Sequence, residues 1–326
     1  MSRIALPPAH WLFPDTSPRV KEALHFYEQN YTSIGQWILD PVNKVVLRST
    51  LHSGICRFCG KGKPEVTFRD NAHALPECLG NKSLTTKYEC DDCNHFFGDG
   101  IENDFGNWSK AQRALSGLRG KSGIPALKGN QWRFEHDPTT GIAVVQSDDD
   151  PIAIPNADQT LITLTVPRDP YTPVAVLKAS TKMALSLLPQ EELPNFQRAL
   201  AWIRNPDHQQ GLVKVSGWPV LYTFVPGTNP LLHSAILLRR KAVCHLPTPY
   251  MFFVLTYGNE IFQMLVPSPE SDPTISLPKD KLHYFPNLYE LDRTLVPVAP
   301  IQRELIDLTS RTRVKGEMIE TVLGYS

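Results

Sequence analysis

Several things are missing from this chain, and each absence removes a class of function. No apolar run approaches the roughly 20 residues needed to span a bilayer, so no membrane partner is expected. The Met1-Ser2-Arg3 start is followed by neither an apolar h-region nor a cleavage site, and the expected location is the cytoplasm. Formal net charge is zero, so the molecule as a whole is no polyelectrolyte, and any nucleic-acid site must be a local basic patch. Internal repeats and low-complexity tracts are absent, which argues against a solenoid or a disordered scaffold. Cysteine is scarce: four of the six fall in CxxC pairs, a pattern that suits metal thiolates in a reducing compartment better than disulfides. Cys78 and Cys244 are left over and read as packing residues.

What is present is an ordinary globular composition, 41% hydrophobic and 20% charged, in 326 residues, enough for two domains with at least one sizeable core. The fold class expected is α+β, a small zinc-stapled module beside a larger α+β domain with mainly antiparallel sheet. The expected division is an N-terminal helical and extended segment over 1–50, the cysteine module over 51–123, and an α+β domain of undetermined role over 124–326.

A helix is expected over 20–31, with Leu24, Tyr27 and Tyr31 on one face. The runs at 132–135 and 142–145 flank a turn-forming Asp137-Pro138-Thr139-Thr140-Gly141 and predict a hairpin. A strand is expected over 161–166, then helices over 174–188, stopped by Pro189, and over 196–203. Beyond that the chain reads as strands at 212–215, 220–225, 235–238, 252–255 and 261–266, with one more helix within 301–323.

The chemistry concentrates in the cysteine module. Cys56-Arg57-Phe58-Cys59 and Cys90-Asp91-Asp92-Cys93 have the spacing with which two turns present four thiolates to one tetrahedral zinc. About thirty residues separate the pairs, so one ion staples both ends of a module too short to build its own core. Short β-prone runs at 66–69 and 83–88 predict a hairpin, with Pro76 and Gly80 in the connection. A helix follows, in which Phe97, Ile101, Phe105 and Trp108 share a face. On that helix Asn94 projects inward toward His73, while His95 and Glu102 share a flanking stripe and Gly98 leaves room for something bulky to approach. Asn94 is also a good helix cap, and that simpler role stays open. Arg57, Lys61, Lys63, Arg69, Lys82 and Lys87, extended by Lys110 and Arg113, are candidates for tracking a phosphate backbone, though such charges are usually just solvated. Arg119 and Lys121 continue the basic stretch, loosened by Gly120 and Gly123.

Ala72-His73-x-x-Pro76-Glu77-x-x-Gly80, then Glu89-Cys90-Asp91-x-Cys93-Asn94-x-x-Phe97-Gly98 with a later Ile101-Glu102, resembles the HNH endonucleases, in particular a bacterial branch with a zinc-binding cysteine quartet. The resemblance covers about residues 51–110. It implies a ββα-metal fold that cleaves phosphodiesters in DNA with one catalytic divalent ion, Mg2+ or Mn2+, alongside structural Zn2+ on Cys56, Cys59, Cys90 and Cys93. By the same resemblance His73 is the general base and Asn94 a ligand of the catalytic ion. Many relatives have an acid immediately before the histidine, where this chain has Ala72. Glu102, then Glu77, and also Asp70, could supply the missing oxygen. Asn81 is the best counterpart of the asparagine that braces the loop under the histidine. The layout suggests a defence nuclease, with 124–326 serving recognition, homo-oligomerisation, or response to an unknown ligand or protein regulator. Two alternatives stand beside this: a zinc-stapled nucleic-acid-binding module without catalysis, and an interaction protein whose zinc module only presents a surface.

Overall fold

The structure is a computed structural model that describes residues 17–39, 43–48, 54–137, 139–208, 219–227, 233–272, 282–291, 297 and 299–324. It begins with helix α1 (Pro18–Asn30), whose N-terminus is capped by the Ser17 hydroxyl accepting from Val20 N–H. Strands β1 (Tyr31–Ile38) and β2 (Val45–Leu47) follow, then β3 (Ala72–His73), β4 (Leu84–Thr86), α2 (Asp91–Asp99) and α3 (Ile101–Leu115). After these come β5 (Leu127–Lys128), β6 (Trp132–Asp137), β7 (Gly141–Gln146), β8 (Ala153–Pro155) and β9 (Leu161–Pro167). Helices α4 (Pro173–Leu187) and α5 (Gln197–Ile203) precede β10 (Pro219–Phe224), β11 (Ser234–Arg240), β12 (Met251–Tyr257) and β13 (Glu260–Leu265). The chain closes with α6 (Leu288–Leu291), β14 (Gln302–Asp307) and β15 (Met318–Gly324). Among the described residues, no helix is long and apolar enough to cross a membrane.

The class is α+β, as expected. A six-stranded antiparallel sheet in the order β1-β11-β12-β13-β10-β14 forms the centre. Its inner strands are apolar runs rather than alternations because both faces are covered. On one face Phe252 packs against Tyr27 of α1, and Gln263 donates to the Tyr27 hydroxyl. On the other, Trp108 of α3 meets Phe262 edge-on at 5.7 Å, and Phe105 meets Tyr257. Phe105 and Trp108, two members of the apolar face expected after Cys93, thus dock on this sheet. Phe97, Ile101, Phe105 and Trp108 are all buried.

Every residue of α4 is buried, and it lies against α3. One hydrophobic core runs from Phe58, Leu75 and Phe97 through Leu177, Leu185 and Phe196 to Phe253 and Phe262. The segments 51–123 and 124–326 therefore share their interior. The 1–50 segment is divided: β1 edges the central sheet, whereas β2 pairs in parallel with β4 and widens the β3–β4 hairpin to three strands. A second, smaller core joins the end of α3 to the β6–β7 hairpin and β9.

Several expectations are corrected. The helix expected within 301–323 is two strands: β14 is the edge partner of β10 and β15 pairs with β9. Strand pairing and β-branched Ile306, Ile319, Thr321 and Val322 outweigh helix propensity there. The run at 66–69 is no strand. Its backbone is held by the Asp91 carboxylate, which accepts from Arg69 N–H at 2.9 Å, Asp70 N–H at 2.9 Å and the Thr67 hydroxyl. The expected single helix after Cys93 is broken at Gly100 (φ −101°, ψ −104°), where a Cβ would lie 3.0 Å from the Phe96 carbonyl oxygen. The helices expected over 20–31, 174–188 and 196–203, the hairpin at 132–145 and the strands at 220–225, 235–238, 252–255 and 261–266 are present with shifted ends. The run at 212–215 lies outside the described residues.

The first CxxC turn is fastened to α4 directly. Arg57 Nη1 lies 2.9, 3.2 and 2.9 Å from the carbonyl oxygens of Leu185, Ser186 and Leu188, groups that a helix end leaves unbonded. Its guanidinium stacks 3.8 Å over the Tyr88 ring, whose hydroxyl donates to Ser186 O. Arg57→Ala should destabilise the protein by about 2–4 kcal/mol in urea unfolding, since several charge-assisted hydrogen bonds go at once. Arg57→Lys should recover little, because an ammonium lacks the planar fork. A loss below about 0.5 kcal/mol for Arg57→Ala, the range of ordinary surface substitutions, would show that this fastening is unimportant.

Candidate active site and zinc site

The cysteine quartet is gathered as its spacing requires. The Sγ atoms of Cys56, Cys59, Cys90 and Cys93 all lie within 4.8 Å of one another, and no other cluster of three or more His, Cys, Asp or Glu ligands is found among the described residues. Cys59 Sγ and Cys90 Sγ are 3.7 Å apart. A tetrahedron with Zn–S bonds of about 2.3 Å has edges of about 3.8 Å, so the donor set and its size fit zinc. The first turn closes through Gly60 N–H to Cys56 O at 2.9 Å, and Gly60 takes φ +72°, which a side chain would strain. Cys90 is the N-cap of α2 and Cys93 sits in its first turn, so the positive end of the helix faces the sulfurs. Cys90 N–H also donates to Cys56 Sγ at 3.4 Å.

Four thiols this close cannot all ionise unaided. Donation from the Cys93 thiol draws Cys56 down to about 4, while burial pushes Cys90 up to about 12 and the Cys56 sulfur pushes Cys93 higher still. A dication removes that conflict.

The hairpin above the quartet carries His73 on β3, in register with Thr85 of β4. His73 is half-buried. Burial lowers its pKa first, and Lys182 and Lys121 act the same way against Glu77 and Glu102. These four charged groups therefore surround the imidazole electrostatically. Ala72 is fully buried, so the position where relatives carry an acid is here part of the packed interior.

Asn81 is also fully buried and makes four hydrogen bonds. Its Nδ2 donates to Leu75 O at 2.7 Å and Leu84 O at 2.9 Å, and its Oδ1 accepts from Ser83 N–H at 3.2 Å and Leu84 N–H at 2.9 Å. This one amide ties the loop after His73 to the start of β4. Glu77 opens a short 3-10 turn, Glu77–Leu79, that ends on Gly80 at φ +78°.

Asn94 lies within the first turns of α2, with its N–H on Cys90 O. Cys90 caps the helix, so the capping role left open for Asn94 is not the one it fills. Its side-chain amide makes no hydrogen bond among the described residues. The break at Gly100 separates His95 from Glu102, which share no stripe. His95 is exposed and pairs with Asp70 at 3.2 Å, whereas Glu102 turns inward to Lys182 at 2.9 Å.

Lys182 and its second partner Glu89 are the residues that sequence reasoning missed. Lys182, on α4, is 1% exposed, and its Nζ lies 2.9 Å from Glu102 Oε1, 3.1 Å from Glu89 Oε2 and 3.4 Å from His73 O. Burial alone would discharge it, but the two carboxylates outweigh burial and hold its pKa above the usual lysine range. Burial pushes Glu89 up to about 7, with Lys182 pulling the other way, because a second negative charge is expensive in this interior. The available signal was Lys178 and Lys182 four apart in an otherwise uncharged, mostly apolar helix, since buried charges demand partners.

Of the basic residues named above, Arg57, Lys110 and Arg113 are engaged internally. Lys110 pairs with Asp169, and Arg113 donates to Gly106 O. Lys87 reaches Asn71. Lys61, Lys63, Arg69 and Lys82 are exposed.

Residues 56–109 match the family model described as HNH endonuclease. The match starts at the first zinc cysteine, ends one residue past Trp108, and contains His73, Asn81, Glu89, Asn94 and Glu102. Lys182 lies outside it. No curated protein and no solved structure matches the chain.

Stripping zinc with a strong chelator should lower the melting temperature by roughly 10 °C or more, given several kcal/mol of structural-metal stabilisation and about 2 °C per kcal/mol for a chain of this size. Metal analysis of the purified protein should return zinc in proportion to protein. An unchanged melting curve after complete zinc removal would contradict the structural assignment.

Proposed function

We propose that the chain is a metal-dependent HNH endonuclease that hydrolyses phosphodiester bonds in DNA. The observation that carries this reading is His73 within the matched segment: half-buried, kept neutral by its surroundings, on a strand whose following loop is fixed by Asn81. In this reading His73 accepts the proton of the attacking water. A neutral imidazole is the form that can do so, and burial favours that form. Asn81 keeps the ring in place by holding the loop beneath it.

The oxygens of Asn94, Glu102 and Glu77 are the donors offered to a catalytic divalent ion. Glu102 has one oxygen on Lys182, and Asn94 has its whole amide uncommitted. Magnesium and manganese keep waters and take one or two protein oxygens plus phosphate, so they can use the few oxygens these side chains offer. Such an ion supplies Lewis-acid stabilisation of the phosphate when bound. The zinc quartet takes no part in the chemistry. Exposed Lys61, Lys63, Arg69 and Lys82 supply phosphate contacts along the DNA. A small nuclease segment on a large α+β body suits a cytoplasmic defence nuclease, with the body free for recognition, self-association or a regulator.

Ala72 favours one second reading, a zinc-stapled nucleic-acid-binding module without catalysis, since the usual acid is absent from a packed position.

Purified protein should nick or linearise plasmid in magnesium or manganese. His73→Ala should slow cleavage by about 100-fold or more with zinc content unchanged. Because burial lowers the His73 pKa, the base is more fully neutral than an ordinary histidine where that one is half-charged. The acidic limb of the pH–rate profile for kcat/KM should therefore fall below pH 6.5. Cleavage undiminished in His73→Ala would remove His73 from the mechanism. DNA binding without cleavage in any divalent metal would establish the second reading.

A further inference from the structure

We propose that Lys182 is a positioning residue of the nuclease centre, its ammonium occupying the gap between Glu89 and Glu102 and thereby keeping the catalytic divalent ion out of that gap. This rests on the nuclease reading above. Lys182 comes from α4, far outside the matched segment, yet among the described residues it is the one group that touches Glu89, Glu102 and the His73 strand together.

Two carboxylates brought to one point inside a protein form a strong cation site, stronger than one amide with one carboxylate. Left open, the gap would draw a divalent ion in between Glu89 and Glu102. Lys182 fills it with a tethered monovalent cation that cannot exchange with solvent. Its Nζ is 2.9 Å from Glu102 Oε1 and 3.1 Å from Glu89 Oε2, and the side chain is sealed over by the rings of Phe58 and Phe97, 5.7 and 5.6 Å from Nζ. One oxygen of Glu102 is thereby committed, and its other oxygen has no partner among the described residues. Lys182 also reaches the His73 carbonyl at 3.4 Å, so the same ammonium sets the acid and the strand that carries the base.

A cation plug and a merely structural lysine make opposite predictions for metal binding. With the zinc-loaded full-length protein, Lys182→Met should bind manganese about tenfold or more tightly in calorimetry without DNA, since a positive charge is removed and two carboxylates are exposed to the ion. The same variant should cleave plasmid about 100-fold more slowly, through kcat rather than KM, because the ion is displaced from the base. Lys182→Arg should move both values back toward wild type. In the Lys182→Met/Glu89→Gln double variant the gain in manganese affinity should disappear, since it needs both carboxylates.

Manganese affinity that is unchanged or weaker in a folded Lys182→Met protein overturns the proposal, as does a double variant that binds as tightly as the single one. If Lys182→Met does not fold, Glu89→Gln decides. Leaving the ammonium to Glu102 alone should weaken manganese binding about fivefold with zinc content and melting preserved, and unchanged binding overturns the proposal. A wild-type protein that binds manganese and cleaves no DNA defeats the nuclease reading instead, and the manganese comparison then judges Lys182 by itself.

Discussion

Four cysteine sulfurs confined within 4.8 Å of one another impose the constraint from which the rest of the HNH-matching segment follows. Held together as thiols they block each other's ionisation, and a dication is what lets all four act as thiolates. Once they are joined, the turn at Cys56–Cys59 and the start of α2 cannot separate. The hairpin between them is then carried on a fixed base. Its own contribution is small: β3 is two residues long and β4 three, too little ladder to hold a shape alone. The Asn81 amide supplies what the ladder lacks, and Asp91, at the first position of α2, fixes the loop at 67–70 with its carboxylate.

The segment is nevertheless no independent unit. Its helix α3 spends its apolar face on the central sheet, and α4 reaches back into the site at three points: Lys182, the carbonyls that Arg57 caps, and the Ser186 carbonyl that Tyr88 binds. A wholly buried helix bearing two lysines is costly unless each charge is answered. Lys178 is answered by the Asn205 carbonyl at 2.7 Å, and Lys182 by Glu89 and Glu102 of the HNH-matching segment. The body thus contributes to the electrostatics of the candidate site as well as to its support.

Much of this was legible in the sequence where a rule acts locally. The quartet follows from CxxC spacing, the buried face of Ile101, Phe105 and Trp108 from helical periodicity within α3, and the stop after α4 from Pro189. Asn81 was named from the sequence as the counterpart of a bracing asparagine, and its amide makes four hydrogen bonds. What escaped depends on partners distant in sequence. Lys182 is 80 residues from Glu102, and no spacing rule links them. The break at Gly100 undid the stripe inferred for His95 and Glu102, since a phase carried along a helix is lost at one irregular residue. The strands β14 and β15 were read as helix because their pattern is weak. They become strands through pairing with β10 and β9, which only the folded chain reveals.

The central proposal is a division of labour between two metals: zinc would hold the architecture, and a second ion would act beside His73 without entering the Glu89–Glu102 gap. Anomalous diffraction from crystals grown with manganese and a short DNA duplex tests it most directly. The account predicts a zinc peak enclosed by the four sulfurs and a separate manganese peak near Asn94 and the free oxygen of Glu102, with Lys182 still between its two glutamates. Manganese found between Glu89 and Glu102 with Lys182 displaced, or only within the cysteine quartet, would contradict it.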